Sequence, residues 1–104
     1  MLPRKIRVVG KDWKVIWDFK EVDTDGNFGQ TSPVNLEIRL GSASTEQKKR
    51  ETLLHEILHA IDFTLSSPKV SIKEPHIKLL AAGLFQVLTE NPDVTAYIIG
   101  KSWA

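Results

Sequence analysis

At 104 residues, 41% of them hydrophobic, the chain has the size of one domain with a modest core, residues 1–104. Fourteen basic against thirteen acidic residues, a net charge of +1, exclude an electrostatic case for a nucleic-acid or membrane partner. The absence of cysteine excludes disulfides and thiolate ligands, leaving His and Asp/Glu for any metal. The first residues, Met1-Leu2-Pro3-Arg4-Lys5, lead into a charged segment with no long apolar run, so neither a signal peptide nor a transmembrane helix is expected. A soluble, cytoplasmic protein is the resulting expectation.

Lys5 to Val9 and Trp13 to Phe19 are rich in β-branched and aromatic residues, with Gly10-Lys11-Asp12 between them as a tight turn. That pattern predicts a β-hairpin whose tryptophans pack a sheet face. Glu21 to Pro33 is dense in Asp, Asn, Gly, Ser and Pro and predicts an irregular connection. Within it, Asp23-x-Asp25-x-Asn27 has a superficial likeness to a calcium loop. Its glycine falls too early and no Glu closes the loop, so the segment reads as a solvated connection. Asn35 to Leu40 then alternates Leu36, Ile38 and Leu40 with Glu37 and Arg39, the mark of a half-exposed strand.

Ser44 or Thr45 is placed to cap a long helix running to about Leu65, which Ser66-Ser67-Pro68 stops. This helix carries His55-Glu56-Ile57-Leu58-His59, a His-Glu-x-x-His motif. At about 100° per residue, positions i and i+4 share a helix face, so both imidazoles can reach one metal at roughly 2.0–2.1 Å. Glu56 lies beside that face and can hold a carboxylate near metal-bound water. Leu53, Leu54, Ile57, Leu58 and Ile61 fill the other faces, which predicts a largely buried helix. Two of the three histidines of the chain stand in this register.

Glu74-Pro75 opens the next helix, since proline suits the first helical position. Ile77, Leu80, Ala81, Leu84, Phe85 and Leu88 form its predicted buried stripe, Asn91-Pro92 closes it, and Asp93 to Ile99 suits a short final helix. A catalytic zinc takes three protein ligands and leaves a position for water. Candidates for the third are Asp62, Glu74, His76 and Glu90. Glu74 is favoured because the connection before it is long enough to fold the second helix back on the first; His76 is the alternative. Asp62, seven residues after His55, projects from nearly the same face and can orient a ligand imidazole or simply be solvated. Tyr97 could assist a developing oxyanion, or pack as an ordinary core aromatic.

Taken together, Thr52-Leu53-Leu54-His55-Glu56-Ile57-Leu58-His59-Ala60-Ile61-Asp62, Glu74-x-x-Ile77-x-x-Leu80-Ala81, Gly83-Leu84 and Asn91-Pro92 resemble the small phage- and prophage-encoded zincin-type metallopeptidase-like proteins. In outline the chain is also similar to SprT-like and ImmA/IrrE-like peptidase domains. The resemblance spans nearly the whole chain, with its specific part in the two helices. It implies His55 and His59 as Zn2+ ligands, Glu56 as general base, and Glu74 as third ligand in the manner of glutamate-zincins. For a phage-encoded member the compartment is the cytoplasm of the bacterial host.

The expected architecture is therefore a minimal α+β domain. A three-stranded antiparallel or mixed sheet packs on the motif helix, followed by a second long helix and a short C-terminal one. The expected activity is zinc-dependent hydrolysis of a peptide or protein substrate. Asn35–Leu40 serves as the sheet edge that holds the substrate extended. The alternative of a different class is a zincin-fold interaction protein of weak or no catalytic activity.

Overall fold

The computed structural model of the protein describes residues 2–19, 29–42 and 45–101. Its first two strands, β1 (Lys5–Val8) and β2 (Lys11–Ile16), form the expected hairpin. The turn is tighter than the sequence suggests. Only Val9 and Gly10 lie between the strands, both at positive φ, 46° and 82°, as a two-residue turn matched to strand twist demands. Glycine adopts that conformation without cost, whereas β-branched Val9 does not. Lys11 and Asp12 already belong to β2, where Asp12 accepts a hydrogen bond from Arg7 across the pair at 3.1 Å.

Two further strands, β3 (Gly29–Ser32) and β4 (Glu37–Leu40), complete a sheet of order β1-β2-β4-β3. β2 and β4 run parallel, while the outer pairs are antiparallel. The sheet thus has four described strands, not three, and is mixed. The additional strand comes from the segment read as irregular. Gly29, Gln30 and Ser32 are weak strand formers, but every β3 residue pairs with β4, from Gly29 opposite Leu40 to Ser32 opposite Glu37. Tertiary pairing overrides their propensity. This also moves the sheet edge: β4 is interior, and β3 is the outer strand on that side among the described residues. The calcium-like Asp23, Asp25 and Asn27, and the alternative cap Ser44, lie outside the described residues.

Alternation along the strands turns Val8, Trp13, Val15, Ile38 and Leu40 to one face, where all are buried. Helix α1 (Glu46–Leu65) covers that face. Thr45 caps it, its hydroxyl accepting from the Lys48 amide at 3.0 Å. Ala60, fully buried, lets the helix approach closely, with Leu53, Ile57 and Ile61 packed around it. The opposite side of α1 meets α2 (Glu74–Glu90), where Leu58 packs with Ile77 and Ala81. The result is three layers, sheet, α1 and α2, with the motif helix in the middle.

Helix α3 (Pro92–Ile98) follows α2 directly at Asn91. The buried stripe of α2 is narrower than its periodicity suggests. Ile77 and Ala81 are buried, but Leu80 and Leu84 remain 38% exposed because α1 covers only one side of the helix. No described helix is long and apolar enough to cross a membrane.

Candidate metal centre

His55 and His59 stand one turn apart on α1, ring centroids 5.1 Å from each other. Their Nε2 atoms converge on one group, the carboxylate that begins α2. Glu74 Oε1 lies 2.9 Å from His55 Nε2, and Oε2 lies 2.6 Å from His59 Nε2. The donor atoms of the three residues all fall within 4.8 Å of one another. Two imidazoles and a carboxylate without any thiolate are a donor set that can hold a metal ion. A carboxylate bridging two imidazoles marks the point where all three side chains aim.

Each of the three side chains is placed by a different local cause. The histidines are fixed by helical spacing, and the packing of α1 between sheet and α2 fixes their direction. Glu74 occupies the first turn of α2, where the helix dipole favours a carboxylate, next to Pro75, which suits that turn. Ile77 and Ala81, one and two turns further on, press α2 against Leu58 of α1, the residue before His59.

Glu56 differs from Glu74 in nearly every respect. It is 5% exposed, and its Oε2 lies 3.9 Å from His55 Nε2. The Thr31 hydroxyl stands 2.7 Å from Glu56 Oε1 and 3.2 Å from the Glu56 carbonyl oxygen. A hydroxyl has one proton to give, and the shorter contact directs it to the carboxylate. Gly29, two residues earlier on the same face of β3, supplies the space. A Cβ there would stand 2.8 Å from Thr52 Cγ2 and 2.9 Å from both Glu56 Cγ and Oε2. Burial pushes the Glu56 carboxyl above the ordinary glutamate value; the Thr31 hydrogen bond and the two histidines pull the other way, and Glu74 adds to the rise.

Gly29 and Thr31 carry no motif that marks them as site residues from sequence. The signal available was a glycine and a threonine at a spacing of two, where glycine in a strand marks close backbone approach. The other candidates fall outside the cluster. His76 is exposed, Glu90 is exposed at the far end of α2, and Tyr97 is 86% exposed on α3. Asp62 orients no imidazole: its Oδ1 accepts the Ile72 amide at 2.8 Å, in the connection leading to Glu74. Asp62 is half-buried and hydrogen-bonded, so it is neither an imidazole's partner nor simply solvated.

A cleft of about 760 Å³ opens over the cluster. β3 forms one wall, through Gly29, Gln30 and Thr31, and α2 the other, through Glu74 and Lys78. Phe63, 51% exposed one turn beyond His59, lines it from α1. Family models, curated proteins and solved structures yield no match to the chain.

Proposed function

We propose that the chain is a zinc-dependent peptidase, with His55, His59 and Glu74 as ligands and Glu56 as general base. The observation that carries the reading is the conjunction at one point of three candidate ligand residues and, beside them, a second, buried carboxylate 3.9 Å from His55 Nε2. The donor set fits zinc, since a His2Glu arrangement is a common catalytic one and leaves a coordination position open. When bound there, zinc supplies Lewis acidity and a water whose pKa falls towards ≈ 7.

The remaining chemistry belongs to the chain's own residues. Glu56 takes the proton of the attacking water and delivers it to the leaving amine. Thr31 engages Oε1, which leaves Oε2, on the His55 side, free for the proton. A base whose affinity for protons is raised by burial is better matched to work near neutrality than an ordinary glutamate. β3, the outer strand among the described residues, borders the cleft and is the edge to which an extended peptide would add. A peptide or unfolded protein segment is accordingly the substrate class.

Glu56→Gln tests the proposal. The variant retains all three ligands, so it should bind zinc and fold as the wild type does. Its turnover of unfolded protein and peptide substrates should fall about 10²–10⁴-fold. Equal cleavage by the two proteins would remove Glu56 from the mechanism. A second reading, a metal-stabilised interaction protein, draws on the apolar side chains exposed along α2 and α3, among them Leu79 at 73% and Ile98 at 66%. Full zinc occupancy with no cleavage by the wild type would favour it.

A further inference from the structure

His55 and His59 need no help to find each other, because one rigid helix carries both. Glu74 reaches them only after the chain has left α1 at Leu65 and crossed residues 66–73. The start of α2 does little to fix itself. Its N-cap position is Lys73, with no side-chain cap hydrogen bond, and the Glu74 side chain is 47% exposed. Pro75 and the packing of Ile77 and Ala81 seat the body of the helix, and a tether in the preceding segment completes the placement of its first residue.

The geometry points to Asp62 as that element: we propose that Asp62 is the positioning residue for Glu74, resting on the reading of Glu74 as third metal ligand. Asp62 sits on α1 three residues after His59, in the same rigid body as the two histidines. Its Oδ1 accepts the Ile72 amide at 2.8 Å, and Ile72 is only two residues before Glu74. The Ile72 side chain is half-buried against the cluster of Leu58, Ile77 and Ala81, so the tether and the packing agree.

The rest of the connection is closed on itself. Ser67 and Val70 exchange backbone hydrogen bonds of 2.8 and 3.1 Å, and the Ser67 hydroxyl also accepts from the Val70 amide at 3.2 Å. This local turn shortens the free chain but does not attach it to α1. Among the described side chains of α1, Asp62 makes the hydrogen bond that does. Without it, the segment before Glu74 regains backbone freedom, and metal binding must order it again. Asp62 therefore acts on the metal through Glu74, without touching a histidine.

The test is a zinc titration against a competing chromophoric chelator, on proteins shown by circular dichroism to be folded at the temperature used. Asp62→Ala should weaken zinc binding about tenfold or more, in the range of outer-shell substitutions at metal sites. Asp62→Asn keeps an oxygen acceptor for the Ile72 amide and should bind close to wild type. The distinguishing readout is a cycle with Glu74→Ala. In that background Asp62→Ala should cost nothing further, since the ligand it positions is gone; a general loosening of the fold would cost the same in both backgrounds. Should Asp62→Ala fail to fold, Asp62→Ser, too short to reach the Ile72 amide, replaces it in the cycle. Wild-type affinity in the alanine variant, or an equal loss in the two backgrounds, overturns the inference while leaving the metal site intact. A wild-type protein that binds no zinc overturns both.

Discussion

The two walls of the cleft hold their carboxylates in opposite ways. Against the β3 wall, Glu56 of α1 is 5% exposed, hydrogen-bonded to Thr31, and pressed against a glycine that leaves no room for a Cβ. On the α2 wall, Glu74 is 47% exposed and depends on an uncapped helix start tied back by one aspartate. The first carboxylate is built into the interface between sheet and helix; the second is delivered to the site by a connection. In the proposed chemistry this is the useful division. A base must keep its position and its proton affinity, whereas a ligand is held by the metal once bound. Holding metal and using it should therefore be separable by mutation, each wall controlling one of them.

The largest expected effect breaks the α2 wall. Glu74→Ala should weaken zinc binding more than about 100-fold, beyond the range of outer-shell substitutions, because it removes a ligand itself. His76→Ala, two residues away and exposed, should leave the affinity unchanged. Competition titrations of both variants decide the matter, and the reverse order would transfer the ligand role to His76.

A smaller effect is expected from the β3 wall. In Gly29→Ala the new methyl group meets Thr52 and Glu56 at under 3 Å, so either the strand backs away from α1 or the carboxylate shifts. Overpacking of this kind typically costs about 1–3 kcal/mol. Urea unfolding of the metal-free protein measures it, and an unchanged midpoint would mean that β3 does not lie flush on the helix. Zinc affinity should move far less than in Glu74→Ala, which sharpens the contrast between the walls.

The smallest effect is a pH dependence. Because burial raises the Glu56 carboxyl above its ordinary value, the folded metal-free protein binds that proton more tightly than the unfolded chain does. The associated stability is present at pH below the unfolded glutamate range and is lost as pH rises through the raised folded value. Metal-free Glu56→Gln should accordingly gain stability over wild type between acid and neutral pH. Thermal melts of the pair across that interval check the sign. A gap that stays constant, or closes as pH rises, would contradict the assignment of burial as the dominant cause.

What was legible in the sequence is what local periodicity encodes. The His55–His59 spacing, the helix from Glu46 to Leu65, and Glu74 at the head of the next helix all follow from rules spanning a few residues. The length of the connection before Glu74 favours it over His76, and it is Glu74 that joins the cluster. β3 was not legible because Gly29, Gln30 and Ser32 acquire their strand conformation from β4, across an intervening turn and only in the folded state. Helical spacing places Asp62 on the face of the two histidines, but its partner is a backbone amide ten residues downstream, and backbone amides carry no sequence signature. The stripe on α2 failed at Leu80 and Leu84 for a related reason. Periodicity reports which face of a helix is apolar, not how much of that face its neighbours cover.

The claim on which the rest depends is that His55, His59 and Glu74 form one metal site. Elemental analysis of the protein purified from zinc-replete growth, beside His55→Ala and His59→Ala prepared identically, tests it most directly. About one zinc per wild-type chain and close to none in either variant is the expected result. Wild-type protein without zinc, or variants that retain it in full, would contradict it.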